Sequence, residues 1–223
     1  MKITDNVYVV PNVVANPYVI VDPDGLTVID AGLPRSEKKI LAYIESLGRS
    51  AQDIKRIILT HSDLDHVGGL AALQKATGAR TYASRIEADA IASGKSSRPA
   101  QSGMNFRRVV FLFLRPFFQP TPFKVDEILT DGQVLPALGG LQVVETIGHT
   151  PGHISLFSSS TGILFCGDSI VSQNGLQVSR PGVTWDANLA KEAVRKQAAL
   201  GARIVCSGHG PVVMDAQGKF PKL

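Results

Sequence analysis

The stretch "LTHSDLDHVGG", Leu59 to Gly69, decides the fold, because it places two histidines and two aspartates directly after an aliphatic run. The preceding "IKRIILT" predicts a strand, and "DHVGGLAALQKATG" predicts a helix that ends at Gly78. His61, Asp63 and Asp65 lie at alternate positions, so their side chains point the same way if the backbone there is extended. The stretch therefore predicts a strand, a polar loop with metal-ligand residue types, and a helix.

Other strand ends carry the same residue types. Asp30 follows a β-branched run in "TVIDAG", and Asp168 follows an aliphatic run in "FCGDS". The five histidines each lie after an apolar run or in a glycine-flanked loop: His61, His66, His149, His153 and His209. Loops at strand ends are where scaffolds usually hold reactive groups. Because packing alone does not require this pattern, we expect these side chains to converge on one site.

The order of elements predicts the fold class. Short β-branched runs such as "YVIVD" and "LTVID" lie in the first half, and "LQVVETI", "HISLFSS" and "GILFCGD" lie in the second. Helical patterns, including "SEKKILAYIESLG" and "DANLAKEAVRKQAALG", lie between and after them. This arrangement predicts an α/β fold with sheets inside and helices outside. A length of 223 residues with 44% hydrophobic content favours a single domain over residues 1–223.

Composition argues against several classes of protein. The net charge is only +4 and its basic residues are scattered, so we expect no nucleic-acid partner. The longest apolar run, "VVFLFL", falls short of the ~20 residues that a membrane-spanning helix needs. No signal peptide is visible in "MKITDNVYVV", and Cys166 and Cys206 are expected to be buried free thiols. We therefore expect a cytoplasmic protein without a membrane segment.

A segment rich in Phe, Pro and Arg at about residues 95–125 breaks the α/β pattern. It holds six of the nine phenylalanines, namely Phe106, Phe111, Phe113, Phe117, Phe118 and Phe123. We interpret it as an insertion that caps the active site or lines an acyl-chain pocket, with a place in the core as the alternative. Its polar stretches "KSSR" and "RR" are expected to be solvated.

Taken in order, the motifs resemble the metallo-β-lactamase-fold hydrolase superfamily over essentially the whole chain. Asp30 matches the family's first motif, an aspartate after a strand, and His149, Asp168 and His209 match three later motifs in "IGHTPGH", "FCGDS" and "SGHGP". The family's His-x-His-x-Asp-His motif is matched with one departure by His61, Asp63, Asp65 and His66. The resemblance implies a four-layer αββα sandwich with mixed sheets and outer helices.

The resemblance also implies a centre of two divalent metal ions. The first ion would be bound by His61, Asp63 and His149, the second by Asp65, His66 and His209, and Asp168 would bridge them. Asp30 would orient ligands through hydrogen bonds. Asp65 and Asp168 would have the catalytic roles, orienting the attacking water or relaying its proton. His153 is not a ligand in this pattern, and a structural role is expected for it.

Asp63 departs from the family pattern, which commonly has histidine at that position. An aspartate keeps the number of ligands but adds one negative charge. Its hard oxygen shifts preference toward Mn or Fe without excluding Zn, which we expect first. A decayed site is disfavoured because every other ligand position is filled and the replacement is itself a ligand type. Flavodiiron proteins, relatives within this fold, resemble this site in carrying a carboxylate at the same position. The sequence alone predicts that Asp63→His raises zinc occupancy.

The implied function is a metal-dependent hydrolase that uses a dinuclear metal-bound hydroxide on a small ester, lactone, thioester or phosphodiester. Lactonases of the family are similar in size. Thioesterases of the glyoxalase II type carry an added C-terminal helical region that is not visible after "SGHGP". The alternatives are an iron-dependent redox enzyme, either di-iron or resembling a sulfur dioxygenase, and a non-catalytic binding module. The substrate and the oligomeric state stay open.

Overall fold

A computed structural model describes residues 1–99 and 120–223. Its first sheet has six strands in sequence order. They are β1 (Val7–Val9), β2 (Tyr18–Asp22), β3 (Gly25–Ile29), β4 (Ile54–Ile58), β5 (Arg80–Ser84) and β6 (Glu127–Leu129). The β1–β2 and β2–β3 pairs are antiparallel, whereas β3 to β6 run parallel to one another. This sheet is therefore mixed, as expected.

The second sheet has five strands in the order β13-β10-β9-β8-β7. Their bounds are β7 (Val134–Leu135), β8 (Leu141–Glu145), β9 (Ile154–Ser158), β10 (Ile163–Gly167) and β13 (Ile204–Ser207). Only the β10–β13 pair is parallel, so this sheet is mixed too. A separate hairpin joins β11 (Ile170–Val171) to β12 (Gln177–Val178). The strands β7, β11 and β12 were not predicted, because two residues are too few to show a periodic pattern.

Five α-helices lie in the described part of the chain. Their bounds are α1 (Ser36–Ser46), α2 (Leu64–Val67), α3 (Leu70–Thr77), α4 (Arg85–Ala92) and α5 (Ala187–Ala198). Two of them begin at cap residues of the expected type: Ser84 accepts from the backbone of Glu87, and Asp186 accepts from Asn188 and Leu189.

The single helix predicted from "DHVGGLAALQKATG" is wrong, because the structure has the two helices α2 and α3 there. Asp65 lies in the first turn of α2, so the extended backbone expected around it is also wrong. An added Cβ on Gly68 would lie 2.3 Å from Pro34 Cδ, and one on Gly69 would lie 2.4 Å from the Ala31 carbonyl oxygen. The two glycines thus let the loop after β3 pack against the helix junction.

Alternation along the strands creates the layers. In β10, Phe165 faces a core between the two sheets, whereas Leu164 and Cys166 face a core shared with Val194 of α5. In β2, Ile20 faces the core between the sheets, whereas Val19 faces the other side of its sheet, into a core under α1, α3 and α4. Helices therefore cover the outer face of each sheet, and the predicted four-layer αββα sandwich is confirmed.

The topology gathers the motif residues at one edge of the sandwich. Asp30 follows β3, and His61 follows its parallel neighbour β4. Asp168 follows β10, and His209 follows its parallel neighbour β13. Because parallel strands end at the same edge of a sheet, each sheet delivers its polar residues together.

Most of the Phe/Pro/Arg-rich segment, including Phe106, Phe111, Phe113, Phe117 and Phe118, lies outside the described residues, so its capping role stays a prediction. Of its flanks, Phe123 packs against the helix-side core of the first sheet. Cys166 and Cys206 are buried and free, as expected. Over residues 1–99 and 120–223, none of the helices combines the length and apolar character needed to cross a membrane.

Candidate metal centre

Six of the seven residues matched to the family's ligands form two groups at the edge of the sandwich. One group is His61, Asp63 and His149, and the other is Asp65, His66 and His209. Within each group, one potential ligand atom from each residue lies within 4.8 Å of the others. A third set, formed by His61, His66 and Asp168, meets the same criterion and joins the two groups.

Asp168 lies between the two groups. Its Oδ1 is 3.3 Å from His66 Nε2, and its Oδ2 is 3.2 Å from His209 Nε2 and 3.7 Å from His149 Nε2. An added Cβ on Gly208 would lie only 2.2 Å from Asp168 Oδ1, so the glycine makes room for this carboxylate. The carboxylate can therefore face both groups at once, as a bridging ligand must.

Unsatisfied buried atoms test whether metal ions fit here. Among the described residues, His61 Nε2, His66 Nε2 and Asp168 Oδ1 are buried without a hydrogen-bond partner. Such atoms cost free energy when nothing compensates for the lost water. Imidazole nitrogens and carboxylate oxygens are ligand types for zinc, iron and manganese. The donor set therefore fits divalent metal ions.

Neighbouring side chains orient two of the imidazoles. His66 Nδ1 is 2.8 Å from Asp30 Oδ2, and His61 Nδ1 is 2.9 Å from Thr60 Oγ1. Asp30 is itself held, because its Oδ1 accepts from the Thr60 backbone N–H at 2.8 Å. With Nδ1 engaged, each ring turns its Nε2 into the centre. This is the orienting position expected for Asp30.

His149 and His153 lie in the same loop but take different positions. His149 Nδ1 is 3.0 Å from Ser179 Oγ, which leaves its Nε2 directed into the first group. His153 Nε2 instead accepts a hydrogen bond from the Asp168 backbone N–H at 3.1 Å, and its Nδ1 is 2.8 Å from Thr146 Oγ1. Burial lowers the pKa of His153 well below its usual range, and the nearby imidazoles reinforce the shift. His153 therefore holds the loop of Asp168 as a neutral ring.

The imidazoles of the second group lie close to the carboxylates of Asp65 and Asp168. Burial alone would raise the pKa of Asp168, but the imidazoles of His66 and His209 hold it well below its usual range. Hydrogen bonds to Asp168 and Asp65 raise the pKa of His209 to about 9. The Asp65 carboxylate lies 3.1 Å from His209 Nε2. The carboxylates of Asp65 and Asp168 thus both lie within ion-pair distance of His209.

Asp63 lies in the first group with both of its oxygens engaged. Its Oδ2 is 3.2 Å from His149 Nε2 and 3.6 Å from His61 Nε2. Ser96 Oγ donates to Oδ1 at 2.7 Å, and the Arg98 guanidinium pairs with Oδ2. Burial opposes ionisation of Asp63, yet the two imidazoles and Arg98 keep its pKa well below its usual range. The expectation that "KSSR" is a solvated face is therefore wrong for Ser96 and Arg98.

Glu87 is a site residue that sequence reasoning missed. It is fully buried, and its Oε2 accepts from the Ser62 N–H at 2.9 Å. Its Oε1 accepts from Thr150 Oγ1 at 2.6 Å and from the Gly152 N–H at 3.0 Å. Glu87 thus joins the loop of His61 and Asp63 to that of His149. Its place three residues after the N-cap Ser84 is ordinary for a glutamate, so the sequence carried no signal.

Comparison with solved structures places the fold among metallo-β-lactamases. A metallo-β-lactamase with a HARLDQ motif from Cronobacter sakazakii superposes with a TM-score of 0.75 at 25% identity, covering 94% of this chain and 77% of that chain. A B3 metallo-β-lactamase described as having an active-site glutamic acid gives a TM-score of 0.71 at 25% identity, covering 96% of this chain and 81% of that chain.

Sequence relatives agree. "Probable metallo-hydrolase YflN" from Bacillus subtilis is 28% identical over 88% of this chain and 81% of its own length. A hydroxyacylglutathione hydrolase from Cereibacter sphaeroides is 30% identical over 70% of this chain, which spans 48% of that protein. The family model of the metallo-beta-lactamase superfamily matches residues 10–209. The chain therefore belongs to the metallo-β-lactamase superfamily and is one of its metallo-hydrolases.

Proposed function

We propose that the two groups bind two divalent metal ions and that the chain hydrolyses a small ester, lactone, thioester or phosphodiester. His61, Asp63 and His149 would bind the first ion, and Asp65, His66 and His209 the second. The observation that carries the proposal is the position of Asp168, whose carboxylate lies 3.7 Å from His149 Nε2 of the first group and 3.3 and 3.2 Å from the Nε2 atoms of His66 and His209 of the second. A carboxylate in this position is suited to bridge two ions.

Two such ions, when bound, would supply a water nucleophile that is active near neutral pH and would polarise the substrate oxygen. Asp168 and Asp65 differ in exposure, and we assign them different roles on that basis. Asp168 is buried, and its backbone is fixed by His153, so it holds a constant position. The Asp65 side chain is 30% exposed and lies 3.1 Å from His209, so it can orient the water or relay its proton outward.

Among the candidate substrates, we place thioesters and other carbonyl esters ahead of phosphodiesters, and thioesters are the first to be tested. Support comes from the relatives named hydroxyacylglutathione hydrolase, a name that describes cleavage of a thioester. This chain spans 48% of the first of those proteins, so the thioester itself need not be the same one. Lactones and phosphodiesters are also kept as candidate substrates. Zinc is the first metal to test, with manganese and iron next because of Asp63.

The test joins metal analysis to a substrate panel. Protein stripped with a chelator is reloaded with zinc, manganese or iron, and bound metal is counted by elemental analysis. Each form is assayed on a hydroxyacyl thioester, lactones of several acyl lengths and a generic phosphodiester. We expect two ions per chain and turnover of at least one carbonyl substrate. One iron per chain with oxygen consumption would instead establish the redox alternative, and protein without tightly bound metal would leave a binding module.

A further inference from the structure

The Ser96–Arg98 segment encloses the one ligand position at which this chain departs from its family. Ser96 Oγ donates to Asp63 Oδ1 at 2.7 Å, and Arg98 Nη2 donates to Asp63 Oδ2. Both carboxylate oxygens are therefore held by partners other than the two neighbouring imidazoles. The Arg98 side chain is 28% exposed and that of Asp63 is 11% exposed, so the pair is only partly screened by water.

The segment is anchored at points other than Asp63. The Ser97 backbone N–H donates to Ser62 Oγ at 2.8 Å, and Ser97 Oγ donates to Glu87 Oε1 at 2.9 Å. Arg98 Nη1 donates to the carbonyl oxygen of Val183, which lies in the chain between β12 and α5. Each of the three residues therefore makes side-chain contacts within the centre or its supporting loops, which a solvated surface segment would not require.

The contact between Arg98 and Asp63 also balances charge at this ligand position. An aspartate at position 63 brings one more negative charge than the histidine that the family commonly has there. The guanidinium of Arg98 brings one positive charge to the same carboxylate. A guanidinium stays ionised throughout the accessible pH range and offers its donors in a fixed plane, so it can orient a carboxylate as well as neutralise it. The pair thus has the net charge of a neutral imidazole.

We propose that Arg98 is a positioning residue matched to Asp63, and that residues 63 and 98 act as one unit through which a carboxylate serves as a ligand of the first metal ion. The proposal rests on the proposed function, since it assumes that the first group binds metal. It assigns Arg98 no direct contact with the metal or the substrate. Arg98 acts by holding the Asp63 oxygens in place and by offsetting their charge.

The matched pair changes what a substitution at position 63 should do. In Asp63→His, a neutral imidazole cannot accept an ion pair from Arg98. The guanidinium then lies beside the first group as an unpaired cation and opposes a divalent ion. The gain in zinc occupancy predicted from the sequence for Asp63→His should therefore appear only when Arg98 is removed as well.

A double-mutant cycle tests the proposal. The four proteins are the unmodified chain, Arg98→Met, Asp63→His and the double variant, and zinc affinity is measured by chelator competition. Methionine keeps an unbranched apolar stem without the charge. We expect Arg98→Met to weaken zinc binding at the first group roughly 10- to 100-fold when Asp63 is present, as for other partners that orient a ligand. In the Asp63→His background, the same change should strengthen binding by about tenfold.

Two controls define the role further. Arg98→Lys keeps the charge but loses the planar fork, so its affinity should lie between those of the unmodified chain and Arg98→Met. Arg49→Met removes an exposed guanidinium from the turn after α1 and should leave zinc affinity unchanged. An Arg98→Met effect of the same sign and size in both backgrounds would overturn the proposal, as would unchanged or tighter binding in Arg98→Met alone.

A second readout separates this proposal from the proposed function. Thermal unfolding of the metal-free proteins is followed through the same cycle. Loss of Arg98 should lower the melting temperature when Asp63 is present and leave it unchanged or raised in the Asp63→His background, because only the carboxylate needs a partner. If the unmodified chain binds no metal, the proposed function fails, and coupling in this cycle still decides whether the two residues form a unit. Additive shifts would show that they do not.

Discussion

The two metal-ligand groups differ in how much of them is accessible. In the first group, His61 and His149 are almost fully buried and the Asp63 side chain is 11% exposed. In the second group, the side chains of Asp65 and His209 are 30% and 27% exposed, and only His66 is fully buried. The first group is also enclosed by Arg98 and by the loops that Glu87 joins. Among residues 1–99 and 120–223, the second group is open on one side.

This difference separates two tasks. Polar partners that lock a ligand raise metal affinity, so the enclosed first group should hold its ion tightly. An open side admits water and substrate, so the second group should exchange its ion more readily. The following substitutions would break this distinction or make it quantitative.

The largest effect is expected for Asp168→Asn, since Asp168 lies between the two groups and contacts both. The amide removes the negative charge and one of the two oxygens that face the imidazoles. We expect kcat/KM on the best substrate to fall on the order of a thousandfold, about 4 kcal/mol in activation free energy. Steady-state kinetics with elemental analysis checks this. Two retained ions with near-normal turnover would show that Asp168 does not bridge.

Next in size is the contrast between His209→Ala and His149→Ala. Because the second group is the open one, His209→Ala should reduce bound metal from two ions per chain to about one and weaken the second ion at least ~100-fold. His149→Ala should remove the more tightly held ion instead. Sequential zinc titration by calorimetry distinguishes the two. Equal losses from both variants would contradict the proposed difference between the groups.

Glu87→Gln tests the support of the first group. The glutamine amide would direct its NH₂ group at a donor such as the Ser62 N–H, where the carboxylate now accepts a hydrogen bond. We expect the free energy of unfolding to fall by about 2 kcal/mol, measured by urea denaturation. Glu192→Gln, at an exposed position of α5, is the matched control and should be near neutral. An unchanged free energy of unfolding in Glu87→Gln would mean that the two loops keep their positions without the Glu87 carboxylate.

The smallest effect is expected for Asp30→Asn, which acts on the second group through His66. Asparagine tolerates the left-handed backbone of Asp30, where φ is 60°, so the fold should be kept. The weaker acceptor orients the imidazole less firmly, and affinity for the second ion should fall about tenfold. Zinc titration checks this against the first ion, whose affinity should change less, because Asp30 reaches His61 only through Thr60. A loss of affinity confined to the first ion would show that Asp30 supports the first group and not the second.

Much of the fold was predictable because hydrophobic alternation and helical spacing are strong in this chain. The strand "YVIVD" is found where the pattern predicted it, and Asp186 begins α5 as its residue type suggests. The convergence of His61, His149 and Asp168 was also predictable, since each lies at the end of an apolar strand or in a glycine-rich turn. Their identity as ligands stays a prediction.

The sequence could not reveal contacts that depend on tertiary approach. Glu87 looks like an ordinary residue of a helix start, and only the folded chain brings it to Ser62 and Thr150. Arg98 lies in a short polar stretch that gives no periodic signal, and its distance of 35 residues from Asp63 hides the pair. The break between α2 and α3 falls at Gly68 and Gly69, and the close approach of Pro34 and Ala31 to these glycines is a tertiary contact that the sequence does not show.

The order of the ligand groups along the chain has a consequence for synthesis on the ribosome. His61, Asp63, Asp65 and His66 emerge early, but His149, Asp168 and His209 follow only in the second half. Neither group is complete until a residue from the second sheet is available. A nascent chain that has released residue 66 but not yet residue 149 or 209 therefore presents incomplete sets of donors. Metal binding would then follow the docking of the two sheets and would stabilise the assembled sandwich.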